Sequence, residues 1–218
     1  MKYTFAAHIG GRESMEDAYG NVGKEFFVVA DGLGGHAAGE VAAKLAVEAA
    51  LKRFSKIKKK GRAPKTILTD VFKAANKAII EEVRKNPFNF GMATTMIGAF
   101  VQKDNWWIGN IGDSRGYLFA GGQLRQITRD HEDFWGALTR VVGLEEEATP
   151  DIFRGKLKNG NILLLATDGL TDVTSETEIE EVLHTKDNVQ ARANHLVRLG
   201  LLKGGVDNIT VCLIYKEG

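Results

Sequence analysis

Four aspartates stand at the edges of apolar runs. Asp31 follows "FFVVA", Asp113 follows "WWIGNIG", Asp168 follows "ILLLAT", and Asp207 precedes "NITVCLIY". Short apolar runs bounded by turn residues read as strands, so each carboxylate is expected at the rim of a sheet. In an antiparallel sheet the end of one strand lies beside the start of its neighbour. If the strands that carry them are neighbours, Asp31, Asp168 and Asp207 converge. Carboxylates gathered in this way repel one another and are driven toward protonation unless a cation joins them. The same stretches hold no matching cluster of lysines or arginines. A hard divalent cation with all-oxygen ligation, magnesium or manganese rather than zinc, solves the problem. Gly32 and Gly169 then acquire a use, because a residue without Cβ turns the backbone sharply and lets a carbonyl face a metal. Any single Asp-Gly pair also opens an ordinary turn. The recurrence of the pattern is what favours a site.

The N-terminal stretch "GGRESMEDAYG" adds Arg12, Glu16 and Asp17. The planar guanidinium of Arg12 suits a phosphate group, and Glu16 and Asp17 are suited to hold metal-bound waters. Other phosphate chemistries fit less well. The segment "GLGGHAAG" lacks GxxxxGK[ST], and no GxGxxG opens the following helix. A phospho-aspartyl enzyme usually has a second aspartate two positions after the nucleophile, where this chain has Leu33 and Leu170. The single cysteine, Cys212, lies inside "ITVCLIY" and reads as a buried inert thiol.

The elements that must position these groups are legible in outline. Strands are expected over Phe26–Ala30, Ala93–Val101, Trp106–Ile111, Tyr117–Phe119, Ile162–Ala166 and Ile209–Tyr215, with a Gly-Gly hairpin in "FAGGQLRQI". Helices are expected over Gly39–Phe54 and Thr66–Asn86, the latter with Ile67, Val71, Ala75, Ile79 and Val83 on one face. A third helical region, about Glu176 to Leu201, breaks near Lys186–Asn188. Strands in hairpins with segregated helices indicate an α+β layered fold. The 218 residues show no linker or repeat and are expected to form one domain, 1–218. The net charge of +1 gives no strong field toward nucleic acid or anionic lipid. No signal peptide or membrane-spanning run is apparent, so a cytoplasmic protein is expected. The basic run "KRFSKIKKKGR" reads as a solvated loop between helices.

The blocks "GRESMEDA", "VADGLGGHAAGE", "GMATT", "IGNIGDSRGYL", "LRQITRDH", "LTRVVG", "LLLATDGLTD" and "DNITV" occur in the order found in type 2C metal-dependent serine/threonine protein phosphatases. The resemblance runs from about Gly10 to Val211 and is closest to the bacterial-type branch. It implies a four-layer sandwich of two packed antiparallel β-sheets flanked by α-helices, with metals in a cleft at one end. It implies that Asp31 bridges two Mn2+ or Mg2+ ions, that Gly32 offers its carbonyl, and that Asp168 and Asp207 complete one metal's shell. Glu16 would orient metal-bound water, Asp113 would hold a third, weaker ion together with Asp168, and Arg12 would clamp the substrate phosphate.

Two departures accompany the resemblance. Some members carry a histidine two residues after the bridging aspartate, a candidate general acid, where this chain has Leu33; the role is not transferred to His36. The family's mobile flap is reduced here to Glu132–Ala137, between His131 and Leu138. The expected activity is hydrolysis of phosphoserine and phosphothreonine esters by in-line attack of water activated at the two-metal centre, without a covalent intermediate. Arg12 and Asp31 are the expected catalytic residues. Phosphorylated proteins, products of a serine/threonine kinase, are the expected partners of a monomeric enzyme. The alternative is a catalytically weak signalling module that binds a phosphoprotein without cleaving it; the intact set Asp31, Asp168 and Asp207 argues against it.

Overall fold

The computed structural model describes residues 1–33, 38–58 and 61–217. The glycine-rich stretch from Gly34 through His36 lies outside them. In chain order the elements are β1 (Lys2–His8), β2 (Asp17–Val22), β3 (Phe26–Leu33), α1 (Ala38–Ile57), α2 (Pro64–Lys85), β4 (Ala93–Thr94), β5 (Met96–Gln102), β6 (Asn105–Ile111), β7 (Arg115–Ala120), β8 (Gln123–Gln126), β9 (Asp151–Lys156), β10 (Ile162–Ala166), α3 (Asp168–Thr171), α4 (Glu176–His184), α5 (Val189–Leu202) and β11 (Ile209–Tyr215).

Two antiparallel sheets form. One has the order β1-β11-β10-β7-β8, the other β2-β3-β5-β6-β9 with β4 added to β3. Side-chain alternation along each strand divides the buried strand residues between the layers. Phe26, Val28 and Ala30 of β3 pack with Ala46, Phe54, Ile67, Phe72 and Ile79 of α1 and α2. Ile162, Leu164 and Ala166 of β10 pack with Ile179, Leu183, Ala193 and Leu196 of α4 and α5. The opposite rows, Phe27 and Val29 of β3 with Leu163 and Leu165 of β10 and Cys212 of β11, face each other between the sheets. The α+β four-layer sandwich follows from these three apolar contacts.

The expected helices are present. Pro64 occupies the first turn of α2, and Ser175 with Glu178 forms a capping box that starts α4. Asn188 caps α5, accounting for the break. The Gly121–Gly122 turn joins β7 to β8 with both residues at positive φ. The single strand expected over Ala93–Val101 is interrupted at Thr95. Its backbone N–H donates to the Asp31 carbonyl at 2.8 Å, and its hydroxyl accepts from the Asp31 N–H at 3.1 Å. β1, β2 and β9, each on a sheet edge, were not anticipated. Glu132–Ala137 is a tight hairpin closed by a bridge between Glu132 and Leu138. Its turn is held by Asp133, whose Oδ1 accepts from the N–H groups of Trp135 and Ala137 at 2.8 and 3.0 Å.

Candidate metal centre

Asp31 continues the Phe27–Val29 row of β3, so its side chain faces the other sheet where the apolar layer ends. Asp17 on β2 lies directly opposite Asp31 in register. Its Oδ2 accepts a hydrogen bond from the Thr167 hydroxyl at 3.0 Å. β6 runs in the same direction as β3 and ends at the same rim, delivering Asp113 through Gly112. In the facing sheet, Ala166 of β10 pairs with Val211 of β11, so Asp168 and Asp207 flank that sheet's matching edge. The expected neighbour relation therefore holds for Asp168 and Asp207 but not for Asp31, whose strand belongs to the other sheet. The aspartates meet across the sandwich because both sheets end their inward rows at one rim.

The electrostatics record the crowding. Asp31 is pushed well above the ordinary aspartate value, first by burial and then by the charges of Asp17 and Asp168, with Asp168 in proton-sharing reach. Asp17 is raised to about 7, chiefly by burial, against the opposing hydrogen bonds from Thr210 and Thr167. Asp113 is likewise raised to about 7, by burial and then by the charge of Asp168, with the charges of Glu132 and Asp172 pushing the same way. The Oδ1 atoms of Asp17, Asp113 and Asp168 are buried and have no hydrogen-bond partner among the described residues. A buried acceptor without a partner costs about 1–3 kcal/mol, more for a charged group. These orphaned oxygens suit a hard cation.

Glu16 and Gly32 converge at the start of α1. A Cβ on Gly39 would lie 2.0 Å from Glu16 Oε2 and 2.9 Å from the Gly32 carbonyl oxygen. A Cβ on Gly32 would strike the Gly39 carbonyl at 2.1 Å. Both glycines are needed for this close approach, which turns one carboxylate oxygen and one carbonyl oxygen into the same small space. Gly169 is as constrained, its absent Cβ lying 2.1 Å from the Asn208 carbonyl.

Arg12 and Asp207 are paired, with Nη2 2.5 Å from Oδ2. The hydrogen bond and charge of Asp207 raise the Arg12 pKa further, so the guanidinium stays charged. Among the described residues, no three carboxylate, imidazole or thiolate groups stand as a ready-made shell for one ion. Repulsion between the carboxylates and the pull of Arg12 on Asp207 both oppose closer assembly. Donor chemistry, orphaned oxygens and the glycine-shaped approach nevertheless fit a hard divalent cation.

Several positioning groups escaped the sequence reading. Asn208, 2% exposed, accepts the Glu16 N–H at 2.5 Å and donates to the carbonyls of Ile9 and Ser14 at 2.8 and 3.0 Å. One side chain thus ties the Arg12 loop to the start of β11. Thr95 and Ser114 share a hydroxyl–hydroxyl bond of 2.8 Å that links the Asp31 backbone to the Asp113 turn. Arg115 holds Asp130 at 2.8 Å and the Thr171 carbonyl at 3.2 Å, bracing α3 against β7. Asp17 was visible in the sequence only as an equal of Glu16; the register with Asp31 distinguishes it.

A two-sheet sandwich with an all-oxygen, cation-seeking rim defines a class of divalent-ion-dependent proteins. The comparisons are more specific. The protein phosphatase 2C family model matches residues 6–198. The serine/threonine phosphatase Stp of Listeria monocytogenes is 33% identical over 211 residues, covering 87% of this chain and 84% of that protein. The crystal structure of the Mycobacterium tuberculosis serine/threonine phosphatase PstP superposes with a TM-score of 0.90 at 31% identity, covering 100% of this chain and 99% of the other. The PstP catalytic domain in complex with two manganese ions gives a TM-score of 0.87 at 32% identity, covering 97% and 96% of the two chains. The chain belongs to the protein phosphatase 2C family, whose members are metal-dependent phosphoprotein phosphatases. Among the described residues no helix is long and apolar enough to cross a membrane.

Proposed function

We propose that residues 1–218 form one catalytic domain that hydrolyses phosphoserine and phosphothreonine esters on proteins, at a centre for two Mn2+ or Mg2+ ions. The observation that carries this reading is the set of uncompensated carboxylates Asp31, Asp168, Asp17 and Asp113 beside Arg12. Asp31, the Gly32 carbonyl, Asp168 and Asp207 would hold the two ions, with Glu16 acting through water. When bound, such a pair supplies Lewis acidity toward phosphoryl oxygens and a nucleophilic water at neutral pH.

The chain's own residues do the rest. Arg12 sits at the rim with its side chain 56% exposed, within reach of an incoming phosphate. Its fork exchanges Asp207 for equatorial phosphoryl oxygens and neutralises charge that grows in the transition state. Asn208 keeps that loop in place. Leu33 offers no proton, so the acid that serves the leaving oxygen is placed on the Asp113 side. Asp113, with Asp168 and with Glu132 and Asp172 facing it, would hold a third and looser cation. The short hairpin Glu132–Ala137 leaves the approach open. We place the enzyme in the cytoplasm as a monomer that reverses the work of a serine/threonine kinase.

The test is hydrolysis of a phosphothreonine peptide with manganese, with and without chelator. Turnover that disappears with chelator and returns with added manganese is expected. Tight phosphopeptide binding without turnover at any manganese concentration would replace this reading with that of a binding module.

A further inference from the structure

We infer that His131, backed by Asp151 and Arg140, is a positioning residue for Asp113; the inference rests on the proposed role of Asp113 at the looser cation. Gly112, immediately before Asp113, adopts a φ of +106°, and a Cβ there would lie 2.6 Å from Thr95 Cβ. The turn that aims Asp113 is thus a left-handed glycine pressed against the residue that anchors Asp31. Such a conformation persists only when its surroundings hold it.

His131 holds it from both sides. The Gly112 N–H donates to His131 Nδ1 at 3.0 Å, and the His131 N–H donates to the Gly112 carbonyl at 3.2 Å. The Asn110 amide donates to the same carbonyl at 3.1 Å. The ring is 9% exposed, so water is a poor substitute for either bond.

The tautomer follows from the partners. Nδ1 accepts from a backbone N–H, so it carries no hydrogen, and the hydrogen of the neutral ring resides on Nε2. Asp151 Oδ2, 3.3 Å from Nε2, is the acceptor that favours this form. Arg140 Nη1 occupies the other oxygen, Oδ1, at 2.9 Å, and its second nitrogen bonds the Thr149 carbonyl. Arg140 Nη1 also lies 2.7 Å from Nε2; in this tautomer both nitrogens are donors, so that contact is not a hydrogen bond, and Asp151 accepts one hydrogen from each. Asp151 therefore fixes the ring's tautomer and Arg140 fixes Asp151, as outer groups orient a metal-binding residue elsewhere.

The same residues form the base of the short hairpin. The Thr139 N–H donates to the His131 carbonyl at 2.7 Å, and Arg140 follows at once. With the flap reduced to Glu132–Ala137, the His131 stem bonds the Asp113 turn directly, and the Thr139 stem reaches it through His131. The hairpin base and the cation ligand are joined by a continuous run of hydrogen bonds.

The experiment compares His131→Asn, His131→Leu, Asp113→Ala and the double variant Asp113→Ala with His131→Leu. Asparagine places an amide oxygen where Nδ1 sits and can still accept from Gly112; leucine cannot. Manganese dependence of phosphothreonine-peptide hydrolysis is measured alongside hydrogen exchange at the Gly112 amide. His131→Leu should raise the half-activating manganese concentration of the looser phase by roughly 10–100-fold and speed Gly112 exchange. His131→Asn should recover most of both, and His131→Leu should add nothing to the manganese dependence on the Asp113→Ala background, the readout on which that double variant is judged. An undiminished His131→Leu effect on that background would overturn the inference alone, as would asparagine and leucine variants that behave alike. If Asp113→Ala itself leaves the manganese dependence unchanged, the reading of Asp113 falls and takes the inference with it. Should the leucine variant fail to fold, His131→Gln, which presents its amide near Nε2, provides the same contrast with asparagine.

Discussion

Two groups of aspartates lie within one molecule and have opposite fates. Asp130 and Asp151 each carry an arginine from the chain itself, Arg115 and Arg140, at 2.8 and 2.9 Å. The hydrogen bond from Arg140, first among the causes, lowers the Asp151 pKa. Among the described residues Asp17, Asp31 and Asp113 have no such partner, and burial and mutual repulsion raise all three. The difference separates structure from function. A carboxylate that only braces the fold is stabilised by its own counterion, whereas one kept for an external cation is left anionic and costly. The cluster destabilises the metal-free chain where its members are ionised.

The largest effect should come from removing the most crowded member of the unpaired group. Asp31→Ala should reduce turnover of a phosphothreonine peptide to the background rate. Because it also relieves repulsion, the variant's melting temperature in chelator should equal or exceed that of the parent. Near-parental turnover by purified Asp31→Ala would end the two-cation reading. A metal-free variant much less stable than its parent would put Asp31 among the bracing carboxylates.

Arg12 is the crossing point between the groups, an arginine paired with an expected metal ligand. Arg12→Ala should lose roughly 2–4 kcal/mol of transition-state stabilisation, or about thirtyfold to a thousandfold in kcat/KM. Manganese affinity should hold or rise slightly, since Asp207 is released. Weaker manganese binding with unchanged kinetics would show that Arg12 belongs with Arg115 and Arg140 as a brace.

Much of this division was readable before any fold was known. Apolar runs ending in aspartate located Asp31, Asp113 and Asp168, because a buried strand must end at a rim, and a charged residue marks where the apolar layer stops. Helical spacing located α2 and its buried face of Ile67, Val71, Ala75 and Ile79 for the same reason of one-sided burial, whereas α1 buries Ala42, Ala43, Ala46, Val47 and Ala50 rather than the expected Val41, Leu45 and Ala49. The edge strands β1, β2 and β9 were not readable, since an edge strand half open to water needs no apolar run. Nor was the sheet to which each aspartate belongs: pairing is a long-range choice, and local pattern constrains it weakly. His131, Arg140 and Asp151 are spread over twenty-one residues with no periodicity, and only the fold brings them together.

Asp113 tests the comparison more gently, being less enclosed than Asp17 and Asp31. Asp113→Ala should leave two tightly bound manganese ions, measurable by titration calorimetry. It should lose roughly 100-fold on a phosphothreonine peptide, the scale of a missing general acid. An aryl phosphate leaves as a weaker base, so its hydrolysis should suffer less. Equal losses on both substrates, or loss of the tight ions, would remove Asp113 from that role.

The smallest effect is on the stability of the metal-free chain, and it has a definite sign. Asp17 and Asp113 titrate near 7 when folded and return to about 4 when unfolded. Between those values the folded chain holds protons that the unfolded chain has released, so stability falls as pH rises. Asp31 contributes in the same direction. Asp151 works the other way, but its contribution is lost only as pH falls through the ordinary aspartate range and below, outside this window. In chelator, the melting temperature should therefore be lower at about pH 8 than at about pH 5.5, and Asp17→Asn should flatten that slope. Saturating manganese should reverse it, because the cation binds the deprotonated carboxylates and stabilises the folded chain more as they ionise. A melting temperature in chelator that is flat or rising between those two pH values would mean that the unpaired aspartates are compensated from within the chain, and the contrast with Asp130 and Asp151 would dissolve.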